Sequence, residues 1–227
     1  MIDRAAQSST AVPPEVSAFE NVYAGVGDYY TATMARYGAT PRGVDWSCEA
    51  TQFLRFVQLL KIGRFDVPVS LNDLGCGYGA LAVFLAERYP TDNIDYLGID
   101  LAPVMIQRAR RRHRGKPSIR FAIGRSSPRQ ADYTVASGVM NVKLEQPLDL
   151  WEAFVRTVLD DMHRTSRIGF AVNFLARPNP DAPPGQLYCP PPETWARYCE
   201  QSLGCSVEVL AEYGMREYTL LVRRNPD

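Results

Sequence analysis

The chain of 227 residues has the length of one domain with a small cap, and 46% of its residues are hydrophobic, which is enough for a full core. Lys and Arg together (25) balance Asp and Glu (25), and because proteins that hold a nucleic-acid backbone usually carry a basic excess, a nucleic-acid substrate is not expected. The five cysteines are odd in number and contain no Cys-x-x-Cys pair, which favours a reduced protein. The sequence has no signal-like leader and no apolar run of membrane-spanning length, so we expect a cytoplasmic protein without a membrane partner.

The N-terminal third predicts a tail and a helical cap. Residues 1–14 end in two prolines and indicate a disordered tail. Residues 15–66 indicate the cap: an aromatic-rich helical pattern, a turn around Pro41, and a helix from about Ser47 to Gly63. Glycines interrupt the pattern before Trp46, so we expect residues 15–46 to be mobile and to close over a ligand.

Residues 67–227 alternate between strand and helix patterns. The predicted strands are 69–74, 95–100, 118–124, 131–139, 167–176, 206–214 and 216–224, and the predicted helices are 79–89, 103–113, 148–163 and 193–202. This alternation predicts an α/β, Rossmann-like, doubly wound fold with a mostly parallel seven-stranded sheet and an antiparallel last strand. Ligands of such sheets bind beyond the carboxyl ends of the strands.

Three glycines, Gly75, Gly77 and Gly79, follow the first predicted strand. Glycine permits a tight turn and a close approach of the backbone to a ligand. With Ala80 the spacing also satisfies the dinucleotide fingerprint, so the glycines alone do not choose between cofactors. Asp73, two residues before Gly75, distinguishes the cofactors, because a carboxylate there would repel a pyrophosphate and attract the ammonium of an amino-acid cofactor.

A second acid, Asp100, closes the next predicted strand. A carboxylate there can accept hydrogen bonds from both ribose hydroxyls in either class of cofactor. Asp100 therefore indicates a nucleoside ligand without saying which one.

The order of these motifs resembles that of the class I S-adenosylmethionine-dependent methyltransferases, over about residues 67–224. The resemblance implies S-adenosylmethionine as cofactor, with the glycine loop around its methionine part and a cap folded over it. The cofactor-binding residues that it implies are Asp73, Gly75, Cys76, Gly77, Gly79, Asp100, Leu101, Met105, Gly124, Arg125, Ser126, Ser137, Val139 and, from the cap, Tyr30. Many members carry an acid after the third strand, near the adenine amine, whereas this chain has Arg125 and Ser126.

Three residues are candidates for positioning the methyl acceptor. Asn141 and Lys143 follow the fourth predicted strand, and Trp46 lies in the turn of the cap, where its ring could line a pocket. Asn141 is equally a plausible turn-former. The proline-rich loop after the fifth strand, which contains Tyr188, could form one wall of the acceptor site or be a plain surface loop.

The remaining ionisable residues argue against metal chemistry. His113 and His163 fall in helical runs and are interpreted as solvated, and no histidine pair or cysteine cluster predicts a metal site. A basic cluster between Arg108 and Lys116 closes a predicted helix, where cations suit the helix dipole; an anionic partner is the alternative.

The sequence favours a methyltransferase acting on an oxygen, nitrogen or carbon atom of a small molecule in a biosynthetic pathway. The alternatives are methylation of RNA, protein or a surface polysaccharide, and a binding module that keeps the cofactor without turnover. The identity of the acceptor and the oligomeric state, monomer or homodimer, stay open.

Overall fold

The computed structural model describes residues 14–46, 48–90, 93–178 and 183–225, with side chains from residue 19 onward. The prediction of a disordered tail falls almost wholly outside these residues. The helices are α1 Pro14–Tyr37, α2 Glu49–Leu60, α3 Ala80–Arg88, α4 Pro103–Arg112, α5 Leu148–Arg164 and α6 Pro192–Gln201, with a short 3-10 helix at Pro41–Val44. The strands are β1 Val69–Leu74, β2 Ile94–Asp100, β3 Ile119–Ile123, β4 Ala131–Ala136, β5 Ser166–Leu175, β6 Cys205–Leu210 and β7 Glu217–Arg224.

The strands form one seven-stranded sheet in the order β3-β2-β1-β4-β5-β7-β6. Neighbouring strands from β3 to β5 are parallel, and β7 runs antiparallel to both β5 and β6. The predicted Rossmann-like fold is thereby confirmed. The strand order reverses between β1 and β4, which is the place where open α/β sheets bind their ligands.

Two apolar layers cover the sheet. On one face Leu59 of α2, Phe84 of α3 and Ile106 of α4 are buried, and on the other face Trp151 of α5 and Trp195 of α6 are buried. These side chains recur at helical spacing in the sequence, so each helix presents one apolar stripe to the sheet. The two layers fix the strand ends and so the site at their carboxyl edge.

Helix α1 crosses from one layer to the other. Val22 joins the layer of α5 and α6, whereas Met34 joins the layer of α2, α3 and α4, and α1 contacts both α4 and α5. The helix continues through Gly25 and Gly27, so the expected interruption there is wrong. Packing at both ends of the helix offsets the modest cost of two glycines. Helix α1 ends before Gly38, whose φ of 69° suits a residue that tolerates the left-handed region.

Two glycines with opposite surroundings test this packing. A Cβ at Gly98 in β2 would lie 2.7 Å from Phe121 Cδ1 and 2.8 Å from Cys76 Sγ, whereas a Cβ at Gly27 would meet nothing within 4 Å. We expect Gly98→Ala to lower the free energy of unfolding by about 1–3 kcal/mol through overpacking. Gly27→Ala should raise it by about 0.5–1 kcal/mol by favouring the helix. Urea denaturation measures both, and a stable Gly98→Ala protein would contradict the close packing of β2 against β3.

Candidate active site

A cleft opens at the carboxyl ends of β1, β2 and β4, with α1 on its outer side. It holds about 980 Å³ of empty space, including its mouth to solvent, which is within the range of small-ligand sites. The residues that line it come from α1 (Tyr23, Val26, Gly27, Tyr30), the turn before α2 (Val44, Trp46), α2 (Gln52, Phe56), the loop after β1 with the start of α3 (Asp73–Tyr78, Ala80, Leu81), the end of β2 with α4 (Asp100, Leu101, Ala102, Met105), the end of β3 (Gly124, Arg125), the end of β4 (Ser137, Gly138, Val139) and α5 (Phe154, Val158).

The glycine loop forms the floor of the cleft through Gly75 and Gly77, whereas Gly79 lies outside the lining. Gly75, Gly77 and Gly79 have φ angles of 75°, 54° and 81°, a region that other residues rarely adopt. A Cβ at Gly75 would also overlap Val139. The backbone N–H groups of Gly75 and Cys76 both donate to the Ile99 carbonyl, at 2.8 and 3.0 Å, so the loop is fastened to β2. Glycine is therefore required by both conformation and space.

His113 supports this loop from below, which corrects its interpretation as a solvated residue. Its side chain is buried, Nε2 lies 3.0 Å from the Gly79 carbonyl oxygen, and its ring packs against Phe121. Burial lowers the pKa of His113. In the sequence His113 lies in a basic cluster. In the structure it follows the last turn of α4 and its side chain faces the sheet, an orientation that the pattern of charges does not reveal.

Asp100 connects the loop to the start of α4. One carboxylate oxygen accepts from the Gly77 N–H at 2.9 Å and the other from the Ala102 N–H at 2.9 Å. Burial raises the pKa of Asp100, and these backbone donors oppose the rise. Asp100 lines the cleft, and a carboxylate has about four acceptor positions, so the group can accept further hydrogen bonds from a ligand.

Asp73 lies fully buried at the end of β1, and the Tyr96 hydroxyl donates a hydrogen bond to it. Burial raises the pKa of Asp73 to about 7; the Tyr96 hydrogen bond opposes the rise and nearby Asp100 adds to it. A buried carboxylate with a single donor gains from an additional cation. The ammonium of S-adenosylmethionine fits this requirement.

Most of the other residues expected around the cofactor also line the cleft: Tyr30, Cys76, Leu101, Met105, Gly124, Arg125, Ser137 and Val139. Ser126, by contrast, is exposed and lies outside the cleft lining. Arg125 forms an ion pair with Glu20 of α1, with one contact at 2.6 Å, and its guanidinium carbon lies 4.6 Å from the centre of the Tyr23 ring. The cation that replaces the expected acid after β3 therefore binds α1.

Of the three acceptor candidates, Trp46 and Asn141 both lie beside Gly138, whereas Lys143 lies apart from them. Trp46 lines the cleft, and Asn141 is buried behind Gly138. Lys143 lies outside the cleft, where its ammonium donates to the carbonyls of Leu144 and Gln146 at 3.2 and 2.9 Å. The Lys143 ammonium was expected to face an acceptor, but it is hydrogen-bonded to these main-chain carbonyls instead.

Tyr188 belongs to a different part of the protein. Its hydroxyl donates to Glu152 and accepts from Trp195 Nε1, both at 3.1 Å, and the side chain is buried. In its described part, the proline-rich loop borders a separate shallow groove with Lys143 and does not line the cleft. The described part of the loop therefore contributes no lining to the cleft at the glycine loop.

Sequence reasoning missed a group of polar residues behind Trp46. The Arg55 guanidinium stacks on the Trp46 ring, with its carbon 3.3 Å from the ring centre, and forms a buried ion pair with Glu217. Asn173 donates to Glu217 at 2.9 Å and accepts from the Gly138 N–H at 2.8 Å. The available signal was a cation at Arg55, inside the apolar stripe of α2.

The described parts of the chain hold neither a cluster of metal-ligating side chains nor a membrane-spanning helix. Within residues 14–46, 48–90, 93–178 and 183–225, no three His, Cys, Asp or Glu side chains are grouped so that they could hold a metal ion. No helix in these ranges is long and apolar enough to cross a bilayer.

Comparison with known proteins identifies the family. The family described as "Methyltransferase domain" matches residues 72–167. A Mycobacterium tuberculosis protein named as a methyltransferase, Rv1506c, is 39% identical over 160 residues, which cover 69% of this chain and 94% of that protein.

Solved structures with low identity share the fold. Magnesium protoporphyrin IX methyltransferase from Synechocystis PCC 6803 with bound S-adenosylmethionine aligns with a TM-score of 0.62 at 14% identity, over 96% of this chain and 100% of that one. Phosphoethanolamine N-methyltransferase 1 of Haemonchus contortus aligns with a TM-score of 0.64 at 10% identity, over 91% of this chain and 50% of that one. The chain belongs to the class I S-adenosylmethionine-dependent methyltransferases.

Proposed function

We propose that this enzyme transfers the methyl group of S-adenosylmethionine to an oxygen, nitrogen or carbon atom of a small molecule bound in the cleft. The observation that carries the proposal is the meeting, in one enclosed cleft, of the glycine loop and its two acids with an aromatic wall from α1 and the turn before α2. Because α1 covers the outer side, an acceptor that enters whole fits better than a segment of a large polymer.

The cofactor end of the cleft is assigned by chemistry. Asp73 would pair with the ammonium, the glycine loop would hold the methionine backbone, and Asp100 would accept the ribose hydroxyls. Leu101 and Met105 would form the apolar side of the adenine site. We also place Tyr30 here, because it lines the cleft from α1.

The chemistry required of the protein is mainly positioning. S-adenosylmethionine supplies a methyl group on a sulfonium, which is a good leaving group. The chain must hold the acceptor atom in line with that methyl group and exclude water, and α1 with the turn before α2 forms the part of the cleft suited to both tasks. A proton acceptor is needed only for acceptors that are protonated at neutral pH.

Calorimetry with purified protein tests the proposal directly. We expect S-adenosylmethionine and its demethylated product S-adenosylhomocysteine to bind with micromolar affinity, and NAD not to bind, because a pyrophosphate would face Asp73. Incubation with labelled cofactor and fractionated cell extract then searches for the acceptor. Binding of NAD without binding of either sulfur nucleoside would overturn the assignment.

Asp73 should make cofactor binding dependent on pH. With its pKa near 7 in the free protein, the carboxyl group is protonated at lower pH, and a ligand ammonium can pair only with the ionised form. Affinity for S-adenosylhomocysteine should therefore rise roughly tenfold or more between pH 5.5 and 7.5. In Asp73→Asn the affinity should be weaker and nearly flat over this range. An equally steep profile in the variant would assign the titration to another group.

Asp100 should contribute to both the cofactor and the loop. Asp100→Asn removes the charge and leaves one carbonyl oxygen to serve two backbone N–H groups, so affinity for S-adenosylhomocysteine should fall about ten- to a hundredfold, from a charged hydrogen bond of about 1.5–3 kcal/mol. The melting temperature should fall as well. Asp66→Asn, which removes an exposed acid paired with Arg64, is the matched control and should leave affinity unchanged. Equal affinities in the two variants would contradict a ribose contact.

A further inference from the structure

Tyr96 is a buried residue of β2 whose side chain reaches Asp73 on the neighbouring strand. In the register of β1 with β2, Tyr96 pairs with Leu71, and Asp73 lies two residues further along β1. Alternate residues of a strand face the same side of a sheet, so these three side chains share one face. The Tyr96 ring therefore leans toward the carboxyl end of the sheet, where its hydroxyl donates to the Asp73 carboxylate.

The position directly opposite Asp73 on β2 carries no side chain. It is Gly98, and a Cβ there would lie 2.7 Å from Phe121 Cδ1 and 2.8 Å from Cys76 Sγ, so these two groups fill the space. Phe121 has no polar side-chain atom, and the Cys76 thiol is directed to a carbonyl of the glycine loop, 3.6 Å away. Within the described parts of the chain, the Tyr96 hydroxyl is therefore the one hydrogen-bond donor to the Asp73 carboxylate.

Packing fixes where the Tyr96 hydroxyl lies. Tyr96 is 1% exposed, and its ring meets the Phe121 ring edge to face, with the ring centres 5.8 Å apart. Phe121 in turn packs against His113, which supports the glycine loop through the Gly79 carbonyl. Because rings in a close-packed interior have few free rotamers, the hydroxyl stays beside the carboxylate. One block of side chains therefore supports both Asp73 and the loop.

The other groups around Asp73 do not favour its ionised form. Asp100 at the end of β2 is a second acid and raises the pKa of Asp73, as burial does. Burial raises the pKa of Cys76 and that of Tyr96, so the thiol and the phenol both stay neutral. On the other side, β4 places the apolar Val135 beside Asp73. The hydrogen bond from Tyr96 is thus the contact that stabilises the carboxylate.

We propose that Tyr96 is a positioning residue for the cofactor, whose hydroxyl keeps the buried Asp73 carboxylate ionised and ready to pair with the ligand ammonium. This inference rests on the proposed function, in which Asp73 binds that ammonium. The hydrogen bond is present in the ionised protein both before and after the ligand binds, so it cancels between these two states. Its loss therefore acts through the fraction of free protein in which Asp73 is protonated, and a ligand that binds this fraction must displace a proton.

Proton release on binding of S-adenosylhomocysteine tests the role of Tyr96 without turnover. Calorimetry in buffers of different ionisation enthalpy counts the protons released, and the ligand's own amine contributes alike in every variant. At pH 7 the unmodified protein should release about half a proton per ligand, because the pKa of Asp73 is about 7. Tyr96→Phe should release close to one, and Asp73→Asn none. Tyr133→Phe, which removes a hydroxyl on β4 from a ring that packs against Phe65, is the control and should match the unmodified protein.

The affinity of Tyr96→Phe for S-adenosylhomocysteine should be about tenfold or more below that of the unmodified protein at pH 6, and within about twofold of it at pH 9, where Asp73 is ionised in both. An equal loss at both pH values would indicate a purely structural role and overturn the proposal, as would unchanged proton release.

A second variant keeps the test independent of the stability of Tyr96→Phe. A 3-fluorotyrosine incorporated at position 96 keeps the ring and has a more acidic hydroxyl, which is a stronger donor. It should release fewer protons at pH 7 than the unmodified protein, and an equal or larger release would contradict the role of Tyr96. Failure of the unmodified protein to bind S-adenosylhomocysteine at any pH would instead refute the proposed function.

Discussion

The hydrogen bonds between the glycine loop and the end of β2 are the constraint on which the site depends. Two consecutive N–H groups of the loop share the Ile99 carbonyl, and the Gly77 N–H binds Asp100 on the same strand. This arrangement turns the backbone sharply at the point where the strand order reverses. The loop is thus held in the left-handed region before any ligand arrives, and the protein binds a ligand without first having to order its floor.

The supports of this loop show how far the sequence could predict the site. The positions of Asp73, Asp100 and the three glycines at the carboxyl ends of β1 and β2 could be predicted, because they depend on spacing along one chain segment. His113 could not, because its contact with the Gly79 carbonyl is set by how the last turn of α4 faces the sheet. The same is true of Lys143: its position after β4 was correct, but nearby carbonyls determine where its ammonium points.

The fold itself was predictable because strands and helices in this chain have clear apolar periods and short connections. The helix α1 was the exception, since its two glycines suggested breaks that packing of Val22 and Met34 at its two ends overrides. The Arg55–Glu217 ion pair could not be predicted either, because it depends on tertiary contacts. In sequence Arg55 is a single cation in an apolar stripe, and only the sheet brings β7 beside α2.

The glycine loop and the polar residues behind Trp46 differ in how much of the chain must fold to make them. The contact between Gly77 and Asp100 joins residues 23 positions apart, whereas the contact between Arg55 and Glu217 joins residues 162 positions apart. Loop-closure entropy makes the first contact the easier to form, and the second involves a strand, β7, that pairs with β5 in the folded protein. The contact of the glycine loop with Asp100 therefore needs only a short part of the chain, whereas the polar group behind Trp46 needs the strand β7 from the end of the chain.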